Sequence, residues 1–177
     1  MAIVSLSNLP EIRERHQGEV IVYCSGVFDL PHPGHVLFLE DCKKQGDVLV
    51  VGVSRGDKDL QNRKGAGRPI MSYKMRLKMV DALKLVDYCF VRDSDVEIEL
   101  NNSLGFLEIV FAKLKPEVYV INDDAFNTEY RKQLCEKNNV RLVILERWCP
   151  PEFENISTTK LIEKISMLFG KKEESKD

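Results

Sequence analysis

The chain has 177 residues, of which 44% are hydrophobic and 31% are charged, and its formal net charge at pH 7 is -2. This length and composition are those of an ordinary globular protein, which excludes a disordered or fibrous chain. The small negative charge argues against a broad nucleic-acid-binding surface, which needs clustered excess Lys and Arg. No apolar run approaches the ~18 residues of a membrane span, and the N-terminus lacks a signal-peptide pattern, so we expect a cytoplasmic protein.

The cysteines favour reduced thiols in the core. They number five, an odd count, and they are widely spaced with no CxxC pair. This pattern argues against both a disulfide framework and a zinc site.

Short apolar runs rich in β-branched residues alternate with segments of helical periodicity. Residues 1–18 read as a short leader with helical potential around Pro10–His16. Strands are predicted at Val20–Cys24, Val48–Val53, Tyr88–Val91, Val118–Ile121 and Val140–Leu145. Helices are predicted at Val36–Gln45, Ser72–Leu85, Leu104–Leu114, Thr128–Lys137 and Ser157–Phe169. In the second helix Ser72 is the predicted N-cap, and Met75, Met79, Leu83 and Val86 form the predicted apolar face.

This alternation predicts an α/β fold: a Rossmann-like, doubly wound sheet of five mainly parallel strands with helices on both faces. We expect one domain over residues 1–170, followed by a charged tail over residues 171–177. In such sheets ligands bind beyond the carboxyl ends of the strands, where the strand order reverses. The loop that leaves the first strand is therefore the first place to look for chemistry.

That loop reads Gly26-Val27-Phe28-Asp29-Leu30-Pro31-His32-Pro33-Gly34-His35. Gly34 has no side chain where a phosphate must approach the backbone, and a helix N-terminus supplies free N–H groups and partial positive charge. The two imidazoles can donate hydrogen bonds to phosphate oxygens during phosphoryl transfer. One alternative is that the histidines merely cap the helix. A metal site is a weaker alternative, because no third ligand stands nearby at a suitable spacing.

The loop resembles the GxFDxxHxGH signature of the cytidylyltransferase-like branch of the nucleotidyltransferase superfamily. This branch includes glycerol-3-phosphate and phosphoethanolamine cytidylyltransferases, the adenylyltransferase domain of ADP-heptose synthase, and archaeal FAD synthetase. The resemblance implies that His32 and His35 are catalytic. It also implies that the nucleotide is bound by Gly26, Val27, Phe28, Asp29 and Gly34.

Two basic segments follow in the order of that family. Arg63–Ile70 resembles a loop in which a Lys-Gly pair and a proline recur, so Lys64 is identified as a catalytic cation for the phosphates. Arg68 is a lesser candidate, and a solvated surface turn is the alternative. Tyr73–Leu83 resembles a helix with an embedded arginine, which implies that Arg76 binds the triphosphate; the alternative is a charge that faces solvent.

Two polar segments complete the resemblance. Ser157, Thr158 and Thr159 resemble the family's "ISTT" segment, whose hydroxyls and amides can hold a β- or γ-phosphate, although capping alone would explain Ser157. Asn122 and Asp124 end the fourth predicted strand, where base, ribose or acceptor contacts are expected. The alternative is a polar turn that caps the next helix.

The pattern departs from the family at one place. Glycerol-phosphate enzymes carry an Arg-Thr-x-Gly stretch before "ISTT", whereas this chain has Glu152-Phe153-Glu154-Asn155. The missing arginine puts one triphosphate contact in doubt. A similar "FEDG" stretch occurs in the ADP-heptose synthase branch.

The resemblance implies transfer of CMP or AMP from CTP or ATP to a small phosphorylated acceptor, with release of pyrophosphate and with Mg²⁺ on the triphosphate. The two nucleotides are close to even, with a slight preference for CTP. A polyol, sugar or alcohol-amine phosphate and FMN all stay open as acceptors, and a homodimer is expected from the family. A non-catalytic nucleotide-binding module is a second interpretation. A flavodoxin-like redox or signalling domain is a third, which the paired histidines do not resemble.

Overall fold

A parallel six-stranded sheet organises the protein. The structure is a computed structural model, and it describes residues 2–56, 65, 67–92, 105–151 and 157–169. The strands are β1 (Ala2–Ile3), β2 (Ile21–Gly26), β3 (Val48–Ser54), β4 (Tyr88–Arg92), β5 (Val118–Asn122) and β6 (Arg141–Leu145). Their order in the sheet is β1-β4-β3-β2-β5-β6, and every neighbouring pair is parallel.

Helices connect these strands, as parallel pairing requires. In the described ranges they are α1 (Leu9–Arg15), α2 (Pro33–Lys43), α3 (Tyr73–Asp81), α4 (Gly105–Leu114), α5 (Thr128–Lys137) and α6 (Thr158–Phe169). A short 3₁₀ turn precedes α1. None of these helices combines the length and the apolar character that a bilayer crossing needs.

Helices cover both faces of the sheet. On one face, apolar residues of α1, α4 and α5 pack against β2 residues Ile21 and Tyr23. On the other face, α2 and α3 pack against Val22 and Cys24 of the same strand. This alternation follows from the two-residue period of a strand, and it confirms the predicted doubly wound α/β fold. All cysteines except Cys149 are buried, as expected for core thiols.

The prediction of five strands is wrong by one, because β1 forms the edge of the sheet. Ala2 and Ile3 pair with Tyr88 and Cys89 of β4. Two paired residues are too few to produce a periodic signal in the sequence. The predicted helical potential in the leader is confirmed by α1.

The predicted apolar face of the second predicted helix, α3, is wrong in its N-terminal half, whereas Leu83 and Val86 pack in the core as predicted. Met75 and Met79 are 54% and 47% exposed, whereas Arg76, Leu77 and Val80 are buried. The helix ends at Asp81, earlier than predicted. Its predicted N-cap is confirmed, since the Ser72 hydroxyl accepts a hydrogen bond from the Met75 amide at 3.4 Å.

Gly52 in β3 tests the packing at the centre of the sheet. A Cβ on Gly52 would lie 2.7 Å from the hydroxyl oxygen of Tyr23. The Tyr23 ring is stacked against Phe90 and Tyr119, with centroid distances of 6.1 and 5.5 Å, so it has little room to move. We expect Gly52→Ala to lower the free energy of unfolding in urea by about 1–3 kcal/mol. In a Tyr23→Phe background the same substitution should cost less, and equal costs in both backgrounds would contradict the clash.

Candidate active site

A cleft of about 360 Å³ opens at the carboxyl ends of β2, β5 and β6. The chain runs outward from β2 to β3 and β4 on one side, and from β5 to β6 on the other. The strand order therefore reverses between β2 and β5, which is where α/β sheets bind their ligands. The N-terminal ends of α2 and α6 also line this cleft.

The cleft gathers most of the residues that the sequence singled out. Its walls include Gly26, Val27, Phe28, Asp29, His32, Gly34, His35, Asn122, Asp124, Ser157, Thr158 and Thr159. The lesser candidate Arg68 lies there too. Lys64 and the Glu152–Asn155 stretch lie outside the described residues, and Arg76 lies away from the cleft wall. The individual roles of these residues in binding stay predictions.

The loop that carries the GxFDxxHxGH pattern, residues 26–35 (the signature loop), makes a tight turn before α2. Phe28 and Leu30 adopt left-handed backbone angles, with φ of 52° and 44°, which non-glycine residues rarely do. The buried Phe28 ring folds back over Gly26, where a Cβ would lie 2.9 Å from the ring. Helix α2 begins at Pro33, three residues earlier than predicted, with His32 at the N-cap position. The turn therefore delivers His32 and His35 to the tip of the helix.

The two imidazole rings stack on each other with their centroids 3.9 Å apart. Phe28 contacts the His35 ring edge-on at 5.5 Å. The His32 side chain makes no capping hydrogen bond, so the interpretation of this histidine as a helix cap is wrong. The Nδ1 atoms of both histidines are buried and have no hydrogen-bond partner among the described residues. Unpaired buried polar atoms are costly and rare, which is the arrangement expected of groups that bind a ligand.

Both histidines are neutral at physiological pH. Burial is the main reason that the pKa of His35 falls to about 3, and the neighbouring His32 and Arg147 lower it further, against a smaller opposing effect of Asp29. Burial, followed by the charge of Arg147, also lowers the pKa of His32. A neutral imidazole keeps one N–H donor. The pair can therefore donate hydrogen bonds to phosphate oxygens without first gaining a proton.

Sequence reasoning missed the segment that follows β6. The cleft is lined by Leu145 at the end of β6 and by the next four residues, Glu146, Arg147, Trp148 and Cys149. Arg147 donates to the Asp124 carboxylate, with 2.6 Å between Nη2 and Oδ2. Parallel strands end at a common edge, so the argument that selected Asn122 and Asp124 after β5 also applies to the residues after β6.

The Asp29 carboxylate holds the signature loop against the segment before α3. Its two oxygens accept hydrogen bonds from the backbone amides of Ile70 and Met71 at 2.8 and 2.9 Å. Its backbone carbonyl accepts a third from the Thr158 hydroxyl at 2.8 Å. Asp29 therefore joins three segments that are far apart in sequence, and its carboxylate is engaged within the protein.

Arg76 is fully buried, so the alternative of a solvent-facing charge is wrong. Its guanidinium donates to the carbonyl oxygens of Val27, Ser54, Arg55 and Met71. These four bonds leave little donor capacity for a phosphate, since an arginine has five N–H groups. This arrangement supports a positioning role for Arg76, and its predicted contact with the triphosphate stays untested.

The cytidylyltransferase-like family model matches residues 23–164. The chain belongs to the cytidylyltransferase-like family. The match begins within β2 and ends within α6, so it spans the cleft described above. In this cytidylyltransferase-like chain, the histidine pair, the residues after β5 and the start of α6 all lie inside the matched region.

Relatives of this cytidylyltransferase-like chain differ in length. "Bifunctional protein HldE" from Helicobacter pylori (strain J99 / ATCC 700824) is 36% identical over 163 residues, which cover 92% of this chain and 31% of that protein. The chain thus spans less than a third of that relative. "FAD synthase" from Ferroglobus placidus (strain DSM 10642 / AEDII12DO) is 33% identical over 148 residues, which cover 83% of this chain and 88% of that protein.

A solved structure shows the same likeness. The lipopolysaccharide core biosynthesis protein from Thermoplasma volcanium GSS1 superimposes with a TM-score of 0.58 at 26% sequence identity. The match covers 75% of this chain and 100% of the solved chain. The cytidylyltransferase-like chain therefore shares its fold with a protein of known structure.

The low pKa of His35 predicts that the folded protein loses stability in acid. The folded pKa of about 3 lies below the ordinary value of 6.5, so protons bind the unfolded chain more readily. This contribution to stability is complete above pH 6.5 and is lost as the pH falls from 6.5 towards 3. Between pH 7.5 and 5 we expect the wild type to lose about 2 kcal/mol more than His35→Gln in urea unfolding. His16→Gln, outside the cleft, is the matched control, and equal losses in wild type and His35→Gln would contradict the assignment.

The four hydrogen bonds donated by Arg76 predict a large loss of stability when this residue is replaced, although it lies away from the cleft wall. Arg76→Met would leave four backbone carbonyls without their donor. We expect the free energy of unfolding to fall by at least about 3 kcal/mol, since each buried carbonyl left without a donor costs about 1–3 kcal/mol, and the KM for nucleotide to rise because the signature loop loses its support. Lys74→Met, on the exposed side of α3, is the control. An Arg76→Met variant that is as stable in urea as Lys74→Met would contradict the stabilising role of these hydrogen bonds.

Proposed function

We propose that the chain transfers a nucleotidyl unit from a nucleoside triphosphate to a phosphate oxygen of a small acceptor, with release of pyrophosphate. The observation that carries this proposal is the neutral imidazole pair of His32 and His35, stacked at the tip of α2 in a cleft at the switch point of the sheet. Membership of the cytidylyltransferase-like family supports it.

The proposed reaction is a single in-line displacement. An oxygen of the acceptor phosphate attacks the α-phosphorus, the bond from that phosphorus to the bridging oxygen breaks, and pyrophosphate leaves with the electron pair. His32 and His35 donate N–H groups to oxygens of the α-phosphate as charge redistributes. Donors that are already oriented in a buried site stabilise such charge strongly, because they need little reorganisation during the reaction.

The start of α6 is proposed to bind the outer phosphates. The Ser157 hydroxyl accepts a hydrogen bond from the Lys160 amide at 3.3 Å, and the Thr158 hydroxyl donates to Asp29. These side chains therefore fix the helix end, as the capping interpretation predicts. Apart from the Lys160 amide, which Ser157 caps, the amides of the first helical turn have no intrahelical acceptor, and together with the helix dipole they attract an anion.

Two cations belong to the same proposal. The guanidinium of Arg68 lies 3.5 Å from the Thr159 hydroxyl, so it stands beside the proposed phosphate site. Lys64, outside the described residues, stays a predicted mobile cation for the phosphates. Positive charge at these points would offset the charge of the triphosphate before and during transfer.

Magnesium is proposed to arrive on the triphosphate. Among the described residues, no group of three or more His, Cys, Asp or Glu is placed to hold a metal ion. The Asp29 carboxylate is engaged by two amides and that of Asp124 by Arg147. This donor set fits an ion held mainly by phosphate oxygens and water, the mode that Mg²⁺ prefers with nucleotides. When bound, the ion would neutralise charge on the phosphates.

ATP is our first choice of donor. FAD contains an AMP unit joined to FMN, so the name of the Ferroglobus placidus relative describes formation of an adenylylated product. Resemblance of the Tyr73–Leu83 helix to the cytidylyltransferases favours CTP instead. Sugar, polyol and alcohol-amine phosphates and FMN are the proposed acceptor classes, while the homodimer and the cytoplasmic location stay predictions.

The donor and acceptor can be identified by pyrophosphate release. Each of the four nucleoside triphosphates is incubated with Mg²⁺ and with each acceptor class in turn. We expect release to depend on both partners, with ATP and one acceptor class giving the highest rate. Absence of release from every combination would refute the proposed activity and favour a non-catalytic nucleotide-binding module.

The catalytic role of the imidazole pair is tested by His35→Ala. With the best donor and acceptor, we expect turnover to fall by at least ~100-fold, because one preorganised donor is lost. The circular dichroism spectrum at pH 7.5 should match that of the wild type. His16→Ala is the matched control outside the cleft and should keep its activity. A His35→Ala enzyme that turns over almost normally would contradict the assignment.

A further inference from the structure

A large aromatic side chain stands mostly uncovered on the cleft wall. Trp148, the single tryptophan of the chain, is 66% exposed. It follows β6, a strand at the edge of the sheet, and it lines the same cleft as the histidine pair. Tryptophan normally buries a large apolar surface, so an uncovered indole in a cleft indicates a contact that a ligand completes.

Trp148 lines the cleft together with the histidine pair and with its own neighbour Arg147. The charge of Arg147 lowers the pKa of both His32 and His35. Asp124 holds this arginine with a 2.6 Å ion pair. The ion pair therefore ties the segment that carries the indole to the end of β5.

We propose that Trp148 stacks on the base of the bound nucleotide, which would make it a binding residue of the proposed nucleotidyltransferase. The inference rests on the proposed function in two respects, namely that the histidine pair binds the α-phosphate and that the start of α6 binds the outer phosphates. The α-phosphate is the one bonded to the nucleoside, so the base must lie within one ribose of His32 and His35. The start of α6 binds the outer phosphates, which leaves the walls after β5 and β6 for the nucleoside.

The chemistry of the indole determines what this contact contributes. Every base presents a π-face, so stacking on an aromatic ring adds affinity with little choice among bases. Discrimination between ATP and CTP must then come from hydrogen bonds to the edge of the base. We therefore expect Trp148 to raise the affinity for both nucleotides and to leave unchanged the affinity for a ligand that has phosphates but no base.

The single tryptophan makes the contact directly observable. ATP, CTP and inorganic tripolyphosphate are titrated separately against the full chain in the presence of Mg²⁺, and the tryptophan emission is followed. We expect both nucleotides to change the emission in a saturable manner. Tripolyphosphate should bind without that change, as shown by its competition with ATP in calorimetry.

Two variants separate stacking from a structural role. Trp148→Ala should weaken binding of ATP by about 5- to 100-fold in calorimetry, the range found when a stacking ring is removed. Its affinity for tripolyphosphate should stay within about 2-fold of the wild type. Trp148→Phe keeps a ring and should recover most of the lost affinity for ATP.

Several outcomes would overturn the inference. Equal weakening of ATP and tripolyphosphate by Trp148→Ala would indicate a merely structural role. If nucleotide leaves the emission of the wild type unchanged and Trp148→Ala binds it with unchanged affinity, the indole does not contact the base. Loss of affinity for FMN in this variant, with affinity for ATP retained, would assign the ring to the acceptor instead. Base-dependent quenching without pyrophosphate release would refute the proposed reaction and leave the stacking contact intact.

Discussion

The shape of the cleft depends on two buried charged side chains, Arg76 and Asp29, which bind backbone groups and hold the signature loop in place. The Arg76 guanidinium binds carbonyl oxygens at the exits of β2 and β3, while the Asp29 carboxylate binds the amides of the segment before α3. Together they hold the signature loop in a turn that includes left-handed angles at Phe28 and Leu30. Surrounding structure must stabilise such angles, because alone they are unfavourable. Both anchors act on the backbone, so they set where the loop lies while the imidazoles stay available.

The electrostatics of the cleft follow from this placement. Burial keeps His32 and His35 neutral, and Arg147 acts in the same direction because it disfavours a second positive charge nearby. Positive potential comes instead from permanent cations and from the ends of α2 and α6. Under the proposed function, permanent charges would attract the polyanionic ligand, and the neutral imidazoles would act as directed donors.

The cleft combines loops that carry the recognised family motifs with a segment that carries none. The loop before α2 and the start of α6 carry the motifs that resemble the family, and they face the proposed phosphate positions. The residues after β6 carry no recognised motif, yet Arg147 and Trp148 complete the same cleft. The proposed phosphate contacts and the proposed base contact thus lie at different strand exits, a division that open α/β sheets permit because each loop can vary separately.

The amino-acid sequence alone predicts β2 to β6, the helices between them and the importance of the His32–His35 loop. Those features depend on local properties: apolar runs, helical spacing and a ten-residue motif. Three further features become visible only in the folded chain: β1 forms an edge of the sheet, α3 buries Arg76 in place of Met75, and Trp148 lines the cleft. Each of these depends on contacts between residues distant along the chain, such as Arg76 with Val27, and such contacts leave no periodic trace in the sequence.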